Sequence, residues 1–249
     1  MRVSITTIRV VDLETTGSRP PAHGVCEIGW QDVTLGDDGW QVTASRGASL
    51  VDPGRAIPAV TQAVHHIIDE DVVGAPRWPE IAPQVLRVHP VMAAHRASFE
   101  QRFCTPALSS GARWICTWKC ALRLWPDSPS FSNQVLRYWR KPVGLDRDLG
   151  LPVHRAFPDA YVTAHHLRDM LTAVGVGKLL EWSDLPGLLP RVPTGVDRGK
   201  AWRDLGDDTL AGFADDRDED IRFSARFEQH RRSGETPETP PPPQGSLFA

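Results

Sequence analysis

The sequence predicts an α/β domain followed by a smaller C-terminal module, and three observations predict it. Strand-like segments crowd roughly the first fifty residues, helical periodicity takes over after Pro58, and beyond about Gly177 the composition shifts to proline, glycine and charge. The β-branched run IRVVDL (8–13) opens the domain as a strand. Val25 to Leu35 and Trp40 to Val51 flank the turn sequence GDDG and read as a hairpin. PAVTQAVHH and PEIAPQVLRV then carry apolar residues at helical spacing, each opening on a proline suited to a first helical position. PVMAAH reads as a short buried strand, and a helix is expected from Ser98 to Phe103 with Ser98 as its N-cap. Trp114, Trp118, Leu122 and Trp125 recur at three- or four-residue steps, which predicts one helix with its rings packed in the core. SNQVLRYWRK is a further helix ending before Pro142, and 155–174 an amphipathic one, with Pro158 near its start and Gly175 beyond its end.

Composition narrows the class more than the function. With 249 residues, 41% of them hydrophobic and 24% charged, the chain has the balance of an ordinary globular protein. A net charge of -3 argues against a generic binder with a basic surface, so any nucleic-acid contact must be local. Cys26, Cys104, Cys116 and Cys120 form no paired zinc-site spacing and are expected to be reduced, mostly buried thiols. The apolar stretch at the N-terminus is too short for a signal peptide or a membrane span and is ended by Asp12; a cytoplasmic protein is expected.

Asp12 and Glu14 stand at the end of the first strand. A spacing of two in extended chain turns both carboxylates to one side of the sheet, where they repel unless a cation sits between them. Read alone, the pair also fits two solvated or turn-forming acids. Their neighbours bear on the choice: Thr15, Thr16 and Gly17 complete VDLETTG, which resembles the first motif of the DEDD (DnaQ-like) 3′-to-5′ exonucleases, a family in which four acidic residues hold two divalent ions. After the short strand, RASFEQRF is similar to the family's second motif, with Glu100 as the acid where aspartate is usual and Arg96 where asparagine is common. HRAFPDAY matches the third motif of the histidine-bearing subgroup through His154 and Asp159. Pro158 marks the helix start and holds Asp159 on the first turn, while His154 lies on the preceding loop, able to move to meet a water.

The resemblance implies a ribonuclease H-like mixed central sheet flanked by helices. It implies an exonuclease domain over 1–178 and an accessory module over 179–231, where GVDRGKAWRDL resembles a module of one bacterial branch; a disordered, proline-rich tail over 232–249 is expected from composition. The implied activity is metal-dependent hydrolysis of phosphodiester bonds from DNA 3′ ends, single-stranded or duplex, in repair or replication-associated trimming. Asp12, Glu14, Glu100 and Asp159 would hold two Mg²⁺, with Mn²⁺ as a substitute, and Glu100 would act through an intervening water. His154 would be the general base. Leu13 and Thr15 are candidate contacts to the 3′-terminal nucleotide, and His65 to the substrate strand. His165 and His166 are expected to be ordinary helix residues, and Arg96, Arg102 and Lys119 solvated charges before phosphate contacts.

The tail ends in QGSLF. Gln244, Ser246, Leu247 and Phe248 resemble the peptide with which bacterial replication and repair proteins dock on the β sliding clamp, behind a spacer that keeps it extended. Tethering of that kind raises local concentration at DNA ends without a basic surface. Glu100 and Arg96 keep an alternative open: a catalytically weakened nucleic-acid- or clamp-binding protein on the same fold.

Overall fold

The structure, a computed structural model, describes residues 5–234, so the QGSLF segment lies outside the described residues. Three long strands open the chain: β1 (Thr7–Thr15), β2 (Val25–Gly36) and β3 (Gly39–Leu50), paired antiparallel. The hairpin between β2 and β3 closes on Gly39, whose φ of 93° needs a residue without a side chain. β4 (Val91–Ala94) adds to β1 in parallel, and its four residues are all buried, as expected for an interior parallel strand with no polar face.

β5 (Arg113–Cys116) pairs parallel to β4 and completes a five-stranded sheet of order β3-β2-β1-β4-β5. This strand corrects the sequence reading of WICTWKCALRLW as one helix. Only Thr117–Leu124 is helical (α5), and Trp114 belongs to the strand. The four-residue step from Trp114 to Trp118 crosses the junction, and short apolar runs look alike as strand or buried helix. Trp114, Trp118 and Leu122 are buried, as expected.

The helices include α1 (Ala59–His65), α2 (Trp78–Leu86), α3 (Glu100–Phe103), α4 (Pro106–Ser109) and α6 (Asn133–Arg140). Ser132 caps α6 by accepting the Val135 N–H at 3.3 Å. Ser98 does not cap α3: the residue before that helix is Phe99, already in the right-handed helical region, so the extended geometry an N-cap requires never forms. α7 (Ala156–Asp184) breaks at Gly175, with φ 75° and ψ 168°, and then resumes, so the glycine ends one helix and admits another.

The two sheet faces have different tenants. On one, the register partners Arg9 and Asp32 form a buried ion pair, and Arg9 also donates to the Val85 carbonyl on α2 at 3.0 Å. On the other, α7 begins directly over Gly29, the register partner of Asp12. A Cβ there would lie 2.2 Å from the backbone of Ala156 and Phe157.

The described residues divide into two compact units, one formed by residues 5–124 and 128–183, the other by residues 125–127 and 184–234. The boundary expected at 178 falls inside α7. In the second unit, α8 (Asp207–Phe213) and α9 (Glu219–Ser233) enclose Val192, Trp202, Leu210 and Ile221, with Trp202 edge-on to Phe213. Asp218 caps α9 through the N–H groups of Asp220 and Ile221. Among the described residues no helix is long and apolar enough to cross a membrane. All four cysteines are free and buried, as the sequence predicted.

Candidate active site

Strand alternation brings Asp12 and Glu14 out on the α7 face, next to the bulge that shifts the β1–β2 register between Glu14 and Thr15. Asp159 reaches the same point from the first turn of α7. Ligand oxygens of Asp12, Glu14 and Asp159 all lie within 4.8 Å of one another. Asp159 is held from two sides: Oδ2 accepts the His154 backbone N–H at 2.7 Å, and Oδ1 accepts from Gln134 Nε2 at 2.7 Å. Asn133 Nδ2 donates to the Asp159 carbonyl at 3.1 Å, so the start of α6 braces the start of α7.

Glu100 opens α3, is 3% exposed, and leaves Oε2 without a hydrogen-bond partner. It lies outside the tight three-carboxylate group but within electrostatic reach of Asp12 and Glu14. Removal from water is the largest influence on these groups. It pushes Glu14 and Glu100 each up to about 8, with neighbouring carboxylates adding to the rise. Asp12 is driven well above the carboxylate range by burial and then by Glu14, Asp159, Glu100 and Glu27. Carboxylates packed together with so little cationic compensation, one of them with an orphaned buried oxygen, fit divalent ions. An all-oxygen donor set suits hard cations such as Mg²⁺ or Mn²⁺.

His154 is solvent-exposed and holds a left-handed backbone with φ 59°, so its backbone is bonded to Asp159 while the imidazole faces outward. Leu13, Thr15 and His65 are 5%, 8% and 2% exposed. Leu13 points to the sheet face opposite Asp12 and Glu14. Thr15 Oγ1 donates to the Gly17 carbonyl, and His65 Nδ1 accepts the Ile67 N–H. Arg96 occupies a left-handed turn (φ 67°), a conformation asparagine tolerates well, and its guanidinium stacks 4.3 Å from the Trp118 ring centre. Arg102 donates to the Ser18 carbonyl, and Lys119 to that of Ser183. His165 and His166 are buried in α7, where loss of water lowers them to about 4 and about 3, consistent with packed neutral residues.

Sequence reasoning missed Gln134, Asn133 and Glu27. The first two leave no signature, because a polar residue at a helix start is common. Glu27 left one: it is a lone charge inside the apolar strand segment VCEIGW. It is 4% exposed, opposite Glu14 in the β1–β2 register, and joined to Arg155 through two bonds of 2.9 and 2.6 Å.

Three of the four motif acids thus meet at one point of a mixed sheet, and the exonuclease family model (RNase_T) matches residues 10–167, spanning all four. The chain belongs to the exonuclease family. Its relatives in this family include exodeoxyribonuclease 10 of Escherichia coli (strain K12), 33% identical over 202 residues, covering 80% of this chain and 86% of the relative. The DNA polymerase III subunit epsilon of Treponema pallidum is 35% identical over 175 residues, covering 64% and 77%. Among solved structures, exonuclease X in complex with 5′-overhanging duplex DNA superposes with a TM-score of 0.59 at 31% identity, covering 71% of this chain and 99% of that one. The stretches WICTWKCALRLWP, SNQVLRYWRKP and GVDRGKAWRDL also resemble bacterial exodeoxyribonuclease X. The E. coli exonuclease I–ssDNA complex, 15% identical with a TM-score of 0.55, shares the fold. This exonuclease-family chain therefore has the ribonuclease H-like fold that the motifs implied.

Proposed function

We propose that this enzyme is a 3′-to-5′ exodeoxyribonuclease whose centre is formed by Asp12, Glu14 and Asp159, with Glu100 completing the metal-binding set. The observation that carries the reading is the convergence of three carboxylates within 4.8 Å. Two divalent ions, Mg²⁺ or Mn²⁺, would supply activation of the attacking water and stabilisation of the leaving 3′ oxygen. The chain's own residues do the rest. Asp12 and Glu14 present their oxygens from a rigid strand, and Asp159 is fixed by His154 N–H and Gln134. His154, on the exposed loop before α7, takes the proton from the attacking water. Leu13 and Thr15 would meet the 3′-terminal nucleotide through their backbone, since the Leu13 side chain turns to the opposite sheet face, and His65 would lie beside the substrate strand.

DNA as substrate is supported by the relatives, which include an exodeoxyribonuclease at 33% identity and a polymerase subunit at 35%. Affinity would come from stacking and phosphate contacts, which select an end rather than a sequence. Recruitment by a β sliding clamp through Gln244, Ser246, Leu247 and Phe248 belongs to the same proposal and rests on the sequence of the tail. Such recruitment suits a role in repair or replication-associated trimming in the cytoplasm.

Polarity is tested with one oligonucleotide labelled in turn at each end, single-stranded and duplex, with Mg²⁺ or EDTA. A 3′-to-5′ enzyme releases the 3′ label as mononucleotide at once and converts the 5′-labelled strand into a descending ladder. Immediate release of the 5′ label, or equal activity in EDTA, contradicts the proposal.

A further inference from the structure

β2 carries two features on the α7 face that the reaction as described leaves unused. Glu27 is a buried carboxylate beside the site, yet the geometry does not make it a ligand. Oε1 accepts Arg155 Nη2 at 2.6 Å, while Oε2 accepts Arg155 Nε at 2.9 Å and the Ala156 backbone N–H at 3.0 Å. Its charge is matched by the guanidinium, and its lone pairs are engaged at the first residue of α7. Two residues along the same face, Gly29 lets the backbone of Ala156 and Phe157 press onto the sheet, since a Cβ would meet their atoms at 2.2 Å. Backbone cannot swing aside as a flexible side chain can.

These contacts act on the segment that carries the chemistry. Arg155 and Ala156 lie between His154 and Asp159, and the Arg155 carbonyl accepts the Asp159 N–H at 3.1 Å. In the register, Gly29 faces Asp12 and Glu27 faces Glu14. The strand next to the ligand strand therefore seats the start of α7, which carries the third ligand, and the residue after the histidine.

We propose that Glu27, with Gly29 beside it, is a positioning residue of the catalytic centre: through Arg155 and the Ala156 N–H it seats His154 and Asp159 against Asp12 and Glu14. The inference rests on the carboxylate site proposed above. Groups that orient ligands in this way carry about 10- to 100-fold in metal affinity or rate, because small misplacement of a reacting group is costly.

The test measures kcat and KM on a short 3′-labelled oligonucleotide, Mn²⁺ binding by electron paramagnetic resonance, and thermal midpoint. The proteins are wild type, Glu27→Gln, Glu27→Ala, Gly29→Ala and Asp12→Ala, all full-length. Glu27→Ala and Gly29→Ala are expected to lose about 10- to 100-fold in kcat and about tenfold in Mn²⁺ affinity, with KM within about threefold. Glu27→Gln, nearly isosteric and retaining an acceptor for the Ala156 N–H, is expected to fold and to lose less; it carries the test if Glu27→Ala does not fold. Wild-type binding of Mn²⁺ with Glu27→Gln and any folded Glu27→Ala unchanged in both kcat and affinity overturns this inference alone. So does a defect confined to KM. A wild type that binds no Mn²⁺, or an Asp12→Ala protein as active as wild type, overturns the site reading and this inference with it.

Discussion

Gln134 donates its side-chain amide to Asp159 Oδ1 at 2.7 Å, and Gln134 Oε1 in turn accepts from Arg137, a buried residue that also holds the Gly150 and Arg147 carbonyls. A chain of bonds thus runs from the loop before α7, through α6, to the third carboxylate. The contact made to Asp159 itself is the neutral Gln134 amide, which fixes its direction. Gln134→Ala is expected to lower kcat about 10- to 100-fold while shifting the melting temperature by only a few degrees, about what one lost hydrogen bond costs. Steady-state kinetics beside a thermal melt check this; a variant with wild-type kcat contradicts it.

His154 combines a left-handed backbone with an exposed position. Asparagine tolerates that conformation, so His154→Asn should keep the backbone bond to Asp159 and the melting temperature. Its kcat should still fall by about 10²- to 10⁴-fold, the usual worth of a general base. Retention of activity would remove His154 from the base role.

The raised carboxylates make stability pH-dependent, and the sign follows from linkage. Glu14 and Glu100 bind protons in the folded protein up to about 8, against an ordinary value near 4.5. The folded state therefore binds more protons than the unfolded state across that window, and metal-free protein loses stability as pH rises through it. Melting temperatures measured in EDTA should fall from pH 5 to pH 8, and Mg²⁺ or Mn²⁺ should reverse the fall, since an ion that binds only the folded site stabilises it. Glu100→Gln should flatten the EDTA profile. A melting temperature that rises with pH in EDTA contradicts this arrangement.

Recruitment is separable from chemistry. Removal of residues 244–249 should abolish binding to a β sliding clamp in a pull-down or titration, with kcat on short oligonucleotides unchanged. Persistent clamp binding after truncation would assign it elsewhere.

Much of this was legible in the sequence because the site is built at element ends. The strand-then-acid pattern at Asp12 and Glu14 and the proline before Asp159 are local signals, and the ligand oxygens of these three acids lie within 4.8 Å of one another. β5 was hidden because its four residues share the helix-like spacing of the aromatic residues that follow. Ser98 failed as a cap because Phe99, which stands between it and α3, is already in the right-handed helical region. Gln134 and Glu27 act through partners 25 and 128 residues away, a relationship that no local pattern encodes. Only the fold, which sets α6 against the start of α7 and α7 against β2, brings those partners together.

Mn²⁺ titration monitored by electron paramagnetic resonance decides whether the carboxylates form a metal centre. Wild-type protein should take up two Mn²⁺, and Asp12→Asn and Asp159→Asn should each weaken or lose that binding while remaining folded. Wild-type protein that takes up no Mn²⁺, or variants with unchanged stoichiometry and affinity, would contradict it.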